Sequence, residues 1–194
     1  MQLSLIEKTT IGQCATIISG ILPQEKKNVK LLSFRAVLPG QLTAAGMSGE
    51  FGTVLRDIPC APEQYLQPGD VLIKRLNPDC AVVFSQPVDQ IVASANLFII
   101  RPKPVLDSHF LAFLLENTKL LKRITQLSGV GTTVAAVTSQ KIAECEIPLP
   151  SLEEQIKIGQ FGVLAKRKML LLREMIAEND RLQQALCGKL YQFN

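Results

Sequence analysis

The sequence predicts an α/β (α+β) globular head followed by one long C-terminal α-helix, and three observations predict it. First, Pro148 and Pro150 stop regular helix, since each lacks an N–H and biases the residue before it toward extended backbone. Ser151 then stands where an N-cap belongs, with Glu154 three residues later, the signature of a capping box. Second, no proline follows Pro150, and apolar residues recur at helical spacing to the end of the chain. Third, everything before the prolines is mixed, with short runs rich in Val, Ile and Phe broken by Gly and Pro. The chain therefore divides into 1–150 and 151–194, and Ile147 to Gln155 reads as a hinge between them.

Bulk properties narrow the function classes. With 194 residues, 47% hydrophobic and 20% charged, the chain can bury a core and is not of disordered composition. The net charge is +4, with 14 basic against 12 acidic residues in 1–150 and 7 against 5 in 151–194. Neither part is a polycation, so charge alone does not establish a nucleic-acid partner. The five cysteines, Cys14, Cys60, Cys80, Cys145 and Cys187, are odd in number and form no Cys-x-x-Cys pair. Together with the lack of a signal peptide this predicts free thiols and a cytoplasmic location. No zinc site is expected, because His109 is the only histidine. No apolar run is long enough to span a membrane.

Taken in order, residues 4–19 read as a short helix or turn running into a strand that stops at Gly20. Lys26, Lys27 and Lys30 fall in a polar loop. Leu31 to Val37 reads as a strand with Arg35 on its polar face. Pro39 to Gly52 reads as loop, and Val54 to Ile58 as a short strand. Gln67-Pro68-Gly69-Asp70 is a turn signal, after which Val71-Leu72-Ile73 begins a strand ending in Lys74-Arg75. Ala81 to Ser85 and Gln90 to Ile100 are the next strands, the last stopped by Pro102 and Pro104. Asp107-Ser108 can cap one helix over His109 to Ile124. Ser128 to Thr133 interrupts, Thr138 to Ile142 suggests a small helix, and Glu144 to Leu149 an extended exit strand.

From Ser151 onward about forty residues rising about 1.5 Å each make a rod of roughly 60 Å. Its seam runs through Leu172, Met175, Asn179, Leu182, Leu186, Lys189 and Phe193, continued backward by Phe161, Leu164, Lys168 and Leu171. Such a stripe must find a partner, most simply another long helix. Asn179 on the seam would lower stability but specify register.

Catalytic signatures are missing. The sequence has no phosphate-binding Gly-x-x-x-x-Gly-Lys-Ser/Thr loop, and Gly129-Val130-Gly131 lacks a third glycine. Asn77-Pro78-Asp79-Cys80 shares only its first two residues with the Asn-Pro-Pro-aromatic motif of amino-methyltransferases and reads better as a turn. A Cys–His pair would need His109, which stands in an apolar helix start. The chain is read as binding, not catalysing, with no cofactor.

One resemblance rests on specific residues. Leu127-Ser128-Gly129-Val130-Gly131-Thr132-Thr133 through Ile142, followed by Ile147-Pro148-Leu149-Pro150 and Leu152-Glu153-Glu154-Gln155, resembles the end of a target-recognition domain. The family is that of the DNA specificity subunits of type I restriction–modification systems. Ile11 to Gly20 is similar to that family's opening strand and glycine, Pro68 to Ile73 to its Pro-Gly-Asp strand, and Phe110 to Ile124 to its helix before the Gly-Thr loop. The resemblance implies an α/β target-recognition head that reads half of a split site in double-stranded DNA. It implies a spacer helix that packs antiparallel with another in a coiled coil. It also implies methyltransferase partners that methylate adenine, which a restriction–translocase subunit can join, and a subunit that is not itself catalytic. This sequence shows one head, one helix and no internal repeat, so it resembles a half-subunit expected to form a two-fold homodimer that reads a palindromic split site.

Candidate DNA contacts are Lys26, Lys27, Lys30, Arg35, Lys74 and Arg75, together with Ser128, Gly129, Gly131, Thr132 and Thr133, where glycines would let backbone approach phosphate. Each lysine reads equally well as solvated surface. The expected partner interface is Phe161, Leu164, Leu171, Leu172, Met175, Asn179, Leu182, Leu186 and Phe193. An alternative stays open: a dimerising adaptor or decoy whose head does not bind DNA and which regulates assembly of such a complex.

Overall fold

The computed structural model describes residues 7–24, 31–87, 90–126 and 136–191. At the centre of the head lies a four-stranded antiparallel sheet. Its strands are β2 (Ala15–Ser19), β7 (Val71–Lys74), β8 (Ala81–Val83) and β10 (Leu97–Pro102), in the order β2-β10-β7-β8. Both faces of this sheet are covered. From β7 and β10, Val71, Ile73, Phe98 and Ile100 point into one apolar cluster with Phe110, Leu111, Leu115, Ile124 and Ile142. Leu72, Leu97 and Ile99 point into a second cluster with Leu42, Leu66, Val82 and Phe84. Two buried faces are the reason these strands read as unbroken apolar runs and not as an alternation.

A second sheet, in the order β6-β3-β9, contains β3 (Leu32–Val37), β6 (Gly52–Arg56) and β9 (Val92–Ala93). β3 runs antiparallel to β6 and parallel to β9. The entry and exit of the head are tied together, because β1 (Glu7–Thr10) pairs antiparallel with β11 (Glu146–Leu149). A hairpin of β4 (Leu42–Thr43) and β5 (Gly46–Met47) completes the strands. The helices are α1 (Ile11–Cys14), α2 (Ser108–Leu115), α3 (Thr118–Gln126), α4 (Ser139–Glu144) and α5 (Leu152–Tyr191).

Several expectations are corrected. Residues 7–10 are strand, not helix or turn, because β11 supplies a partner far away in sequence. The single helix over His109 to Ile124 is two helices. Asn117 breaks it by accepting the Lys119 N–H on its side chain at 2.9 Å, a local bond that competes with helical continuation. The Gln90 to Ile100 strand is also two, in different sheets: the Leu97 N–H turns back to the Ser94 carbonyl at 2.9 Å. Pro39 to Gly52, read as loop, contains the β4–β5 hairpin. The strand expected at Val54 to Ile58 is shifted to Gly52–Arg56 by its register against β3.

The start of α5 is as expected. The Ser151 N–H and hydroxyl both donate to Glu154 Oε2, at 3.1 and 2.8 Å, and the Glu154 N–H returns to Ser151 Oγ at 3.4 Å. α4 begins likewise at Thr138, whose hydroxyl oxygen accepts the Lys141 N–H. Asn77 has φ +47°, and the chain bends there at the start of the Asn77–Cys80 segment.

Candidate functional site

Two regions bear on function: the basic positions of the head and the joint between head and α5. Of the expected DNA contacts, Lys26, Lys27, Lys30, Ser128, Gly129, Gly131, Thr132 and Thr133 lie outside the described residues, as does Phe193 of the expected interface. Arg35 is exposed on β3, its guanidinium 4.9 Å from the centre of the Phe51 ring. Lys74 is half-buried and its ammonium lies 2.9 Å from Asp79 Oδ1. Burial pushes the Asp79 carboxyl up, but the bond from Lys74 and that carboxylate's other contacts outweigh it and hold it below its usual range. Arg75 is exposed, its guanidinium 5.5 Å from the Phe98 ring centre.

Of the candidate groups, the described residues place Lys74 and Arg75 together at the end of β7. The Arg75 carbonyl accepts the Val137 N–H at 2.9 Å, and Leu76 bridges antiparallel to Ala136. Ala136 and Val137 are thereby held beside Arg75 and Leu76. Arg35 sits in the other sheet.

The joint is built on residues 105–108. Gln155, only 1% exposed, uses both the oxygen and the nitrogen of its amide. Its Oε1 accepts the Asp107 N–H at 2.9 Å, while Nε2 donates to the carbonyls of Val105 at 3.1 Å and Pro150 at 2.9 Å. Asp107 caps α2 by accepting the Phe110 N–H at 2.8 Å. Ser108 donates its hydroxyl to the Gly69 carbonyl at 2.7 Å. The next residue, Asp70, is also 1% exposed and is held in a two-point pair by Arg101.

One helical turn beyond Gln155, Gly159 lies against the cap of α2. A Cβ there would stand 2.7 Å from Phe110 N, and one on Gly162 would stand 2.6 Å from the Phe113 ring. Lys166 then pairs with Glu116 at the end of α2, and Glu116 also accepts the Ala81 N–H at 3.3 Å. The expected hinge is thus a clamped joint, hydrogen-bonded at Gln155 and Lys166 and closely packed at Gly159 and Gly162, over about three turns of α5. Sequence reasoning placed Gln155 in the resembling motif without a role and missed Gly159, Gly162, Lys166, Glu116 and the Asp70–Arg101 pair. A signal existed: residues 155, 159, 162 and 166 recur at helical spacing and include two glycines, the mark of a close approach.

At about 100° per residue, this clamped face lies roughly opposite the apolar seam. Phe161, Leu164, Met175, Leu182 and Leu186 are each more than half exposed, and Leu171 and Leu172 are exposed too. Asn179 is exposed on the same stripe. Among the described residues no group of His, Cys, Asp and Glu is placed to hold a metal, and no helix is long and apolar enough to cross a membrane.

Fold and joint define a class of protein: an α/β head fixed to the base of a long helical arm. Residues 41–161 match the family described as the Type I restriction modification DNA specificity domain. The chain belongs to this family. Solved structures agree in fold. One, from work on complex assembly and conformational transition of the type I R-M system, superposes with a TM-score of 0.66 at 22% identity, covering 95% of this chain and 45% of the other. The HsdS subunit from Thermoanaerobacter tengcongensis gives 0.64 at 19%, covering 93% and 47%. The type-I restriction-modification system S subunit from M. genitalium gives 0.57 at 16%, covering 100% and 48%. This chain spans a little under half the length of those it matches. A comparison with curated proteins gives no match. Specificity subunits of type I systems are non-catalytic.

Proposed function

We propose that this protein is a half-length specificity subunit of a type I restriction–modification system, with residues 1–150 as its DNA-reading head and 151–194 as spacer and dimerisation helix. Two copies pair through α5 as an antiparallel coiled coil, so that two heads address the two halves of a split, palindromic site in double-stranded DNA. The assembled pair directs methyltransferase subunits, and with them a restriction–translocase subunit, to that site, in the cytoplasm. The observation that carries this reading is the seam on α5. Phe161, Leu164, Met175, Leu182 and Leu186 are exposed by 57–68% on the side turned away from the head. An apolar stripe of that length is stable in water only when another helix covers it.

The head's share of the reading rests on its family and on Arg75, which stands exposed with its carbonyl bonded to the Val137 N–H. In this reading Arg35 and Arg75 lie against phosphates and orient the head, while base edges are read by side chains of the head's loops. The test is a pair of measurements on the full chain. Sedimentation should give twice the chain mass, and selection from random duplexes should return a split palindrome whose binding weakens steeply with salt. A strict monomer with or without methyltransferase, or an asymmetric selected site, would sink the model. A dimer that binds methyltransferase but no duplex would replace it with the adaptor reading.

A further inference from the structure

We propose that the clamp formed by Gln155, Gly159 and Gly162 sets the direction in which α5 leaves the head, and thereby the separation of the two half-sites. The second clause rests on the dimeric reading above; the first stands on this chain alone.

The clamp has the properties a direction-setting element needs. It is satisfied: every hydrogen-bonding group of the Gln155 amide except one oxygen lone pair has a partner, and all the partners are backbone groups. Backbone partners do not change rotamer, so the amide fits only one placement of α5. It is tight: Gly159 rests on the backbone N of Phe110, which cannot swing aside as a side-chain end can. It is also directional, because Gln155 anchors to the 105–107 segment ahead of α2 while Gly162 rests on Phe113 midway along it. Two contacts separated along a helix define its angle, where one would define only a pivot. Lys166 and Glu116 add a third point further out.

The arm then magnifies any change. Moving a Cβ at residue 159 from 2.7 Å to ordinary contact near 3.4 Å requires a shift of about 0.7 Å. Over the roughly 6 Å between residues 155 and 159 that is a tilt of about 7°, which grows to about 6 Å over the roughly 54 Å to Tyr191. A displacement of about 6 Å approaches two base-pair steps of B-form DNA at about 3.4 Å each. A single methyl group at the base of the arm is therefore enough to change which spacing two heads can bridge. Gln155, Gly159 and Gly162 are positioning residues, acting on DNA only through the helix they aim.

The experiment uses the full-length chain with spin labels on Cys187, which is exposed near the far end of α5, and on an exposed head position, Gln67→Cys. Labelled chains are diluted into excess unlabelled protein, so that only distances within one chain are read. Gly159→Ala is expected to move the mean distance by several ångströms with circular dichroism unchanged. Gln155→Met, which keeps the volume and removes the three bonds, is expected to broaden the distribution. Selection from duplexes with half-sites at varied spacing should then give a preference displaced by one or two base pairs for Gly159→Ala. Unchanged distances in both variants overturn the clamp. Altered distances with an unchanged spacing preference overturn its role in spacing. If the parent chain selects no duplex, the dimeric DNA-reading model fails, and the distances still decide the joint.

Discussion

Arg101 and Asp70 meet in a two-point ion pair, Nε to Oδ1 and Nη2 to Oδ2, both at 2.8 Å, that links the strand β10 to the turn before β7. Asp70 is almost wholly buried, and its Oδ2 also accepts the Gln67 N–H at 2.8 Å. The bonds that Arg101 donates to Asp70, reinforced by that carboxylate's charge, raise its guanidinium above its ordinary value in spite of burial. Removing one partner of such a pair strands the other, which is why Arg101→Met should lower unfolding free energy by about 3 kcal/mol. The double variant Asp70→Asn, Arg101→Met should be less destabilised than the sum of its parts, measured by urea titration. Additivity would mean that the two residues act independently.

Gly20 closes β2 against the residues joining β9 to β10. A Cβ there would lie 1.9 Å from the Ser94 carbonyl oxygen, with no flexible atom to give way. Gly20→Ala should therefore destabilise the head by about 3 kcal/mol or more. Gly40→Ala, where nothing lies within 4 Å, should stay within about 0.5 kcal/mol of the parent in the same denaturation assay.

The five thiols divide sharply. Cys14, Cys60, Cys80 and Cys145 are buried, and Cys187 is exposed on α5. A thiol reagent at neutral pH should modify one cysteine per folded chain and five after unfolding, counted by mass spectrometry. Rapid labelling of a second cysteine in the folded protein would contradict this packing.

Cys80 carries a pH dependence of its own. Burial first, then the hydrogen bond and charge of Asp79, push its thiol up to about 11 from 9.0. In that window the folded state keeps the proton and the unfolded state loses it. Stability from this group is thus complete below about pH 9 and lost as pH rises toward about 11, by up to about 2–3 kcal/mol. The thermal midpoint of the parent should fall faster over that range than that of Cys80→Ala. Parallel slopes would refute the assignment.

The apolar seam predicts an assembly phenotype separable from folding. Leu182→Glu and Met175→Glu stand on the exposed seam of α5, and both residues are exposed by more than half. Each should leave the head's thermal midpoint unchanged while shifting the sedimenting species from dimer to monomer. A dimer that survives both substitutions would place the interface elsewhere.

On the head, Arg75→Ala should weaken duplex binding for every sequence alike and lower the salt slope by about 1, as loss of one phosphate contact does. Lys74→Ala should do less, because Lys74 already pairs with Asp79 at 2.9 Å. Equal effects of the two would show that this ion pair opens on DNA.

The sequence by itself determined the start of α5, since the prolines, Ser151 and Glu154 act through bonds only three residues long. It also determined the free, unpaired pattern of cysteines and the strands Val71–Lys74 and Leu32–Val37, whose composition is decisive locally. Local patterns could not reveal that β1 is strand, because its partner β11 lies about 140 residues away. Nor could they reveal that the apolar run from Gln90 to Ile100 divides between two sheets. The joint was decided wholly by tertiary structure. Gln155 is a good helix residue in any helix, and only the arrival of the Val105 and Asp107 backbone beside it turns its amide into a clamp. Glycines in a helix are unfavourable in isolation, and only the closeness of α2 explains Gly159 and Gly162. Contacts within a turn or two of chain are written in spacing and residue type; contacts between distant segments depend on packing that no single segment encodes.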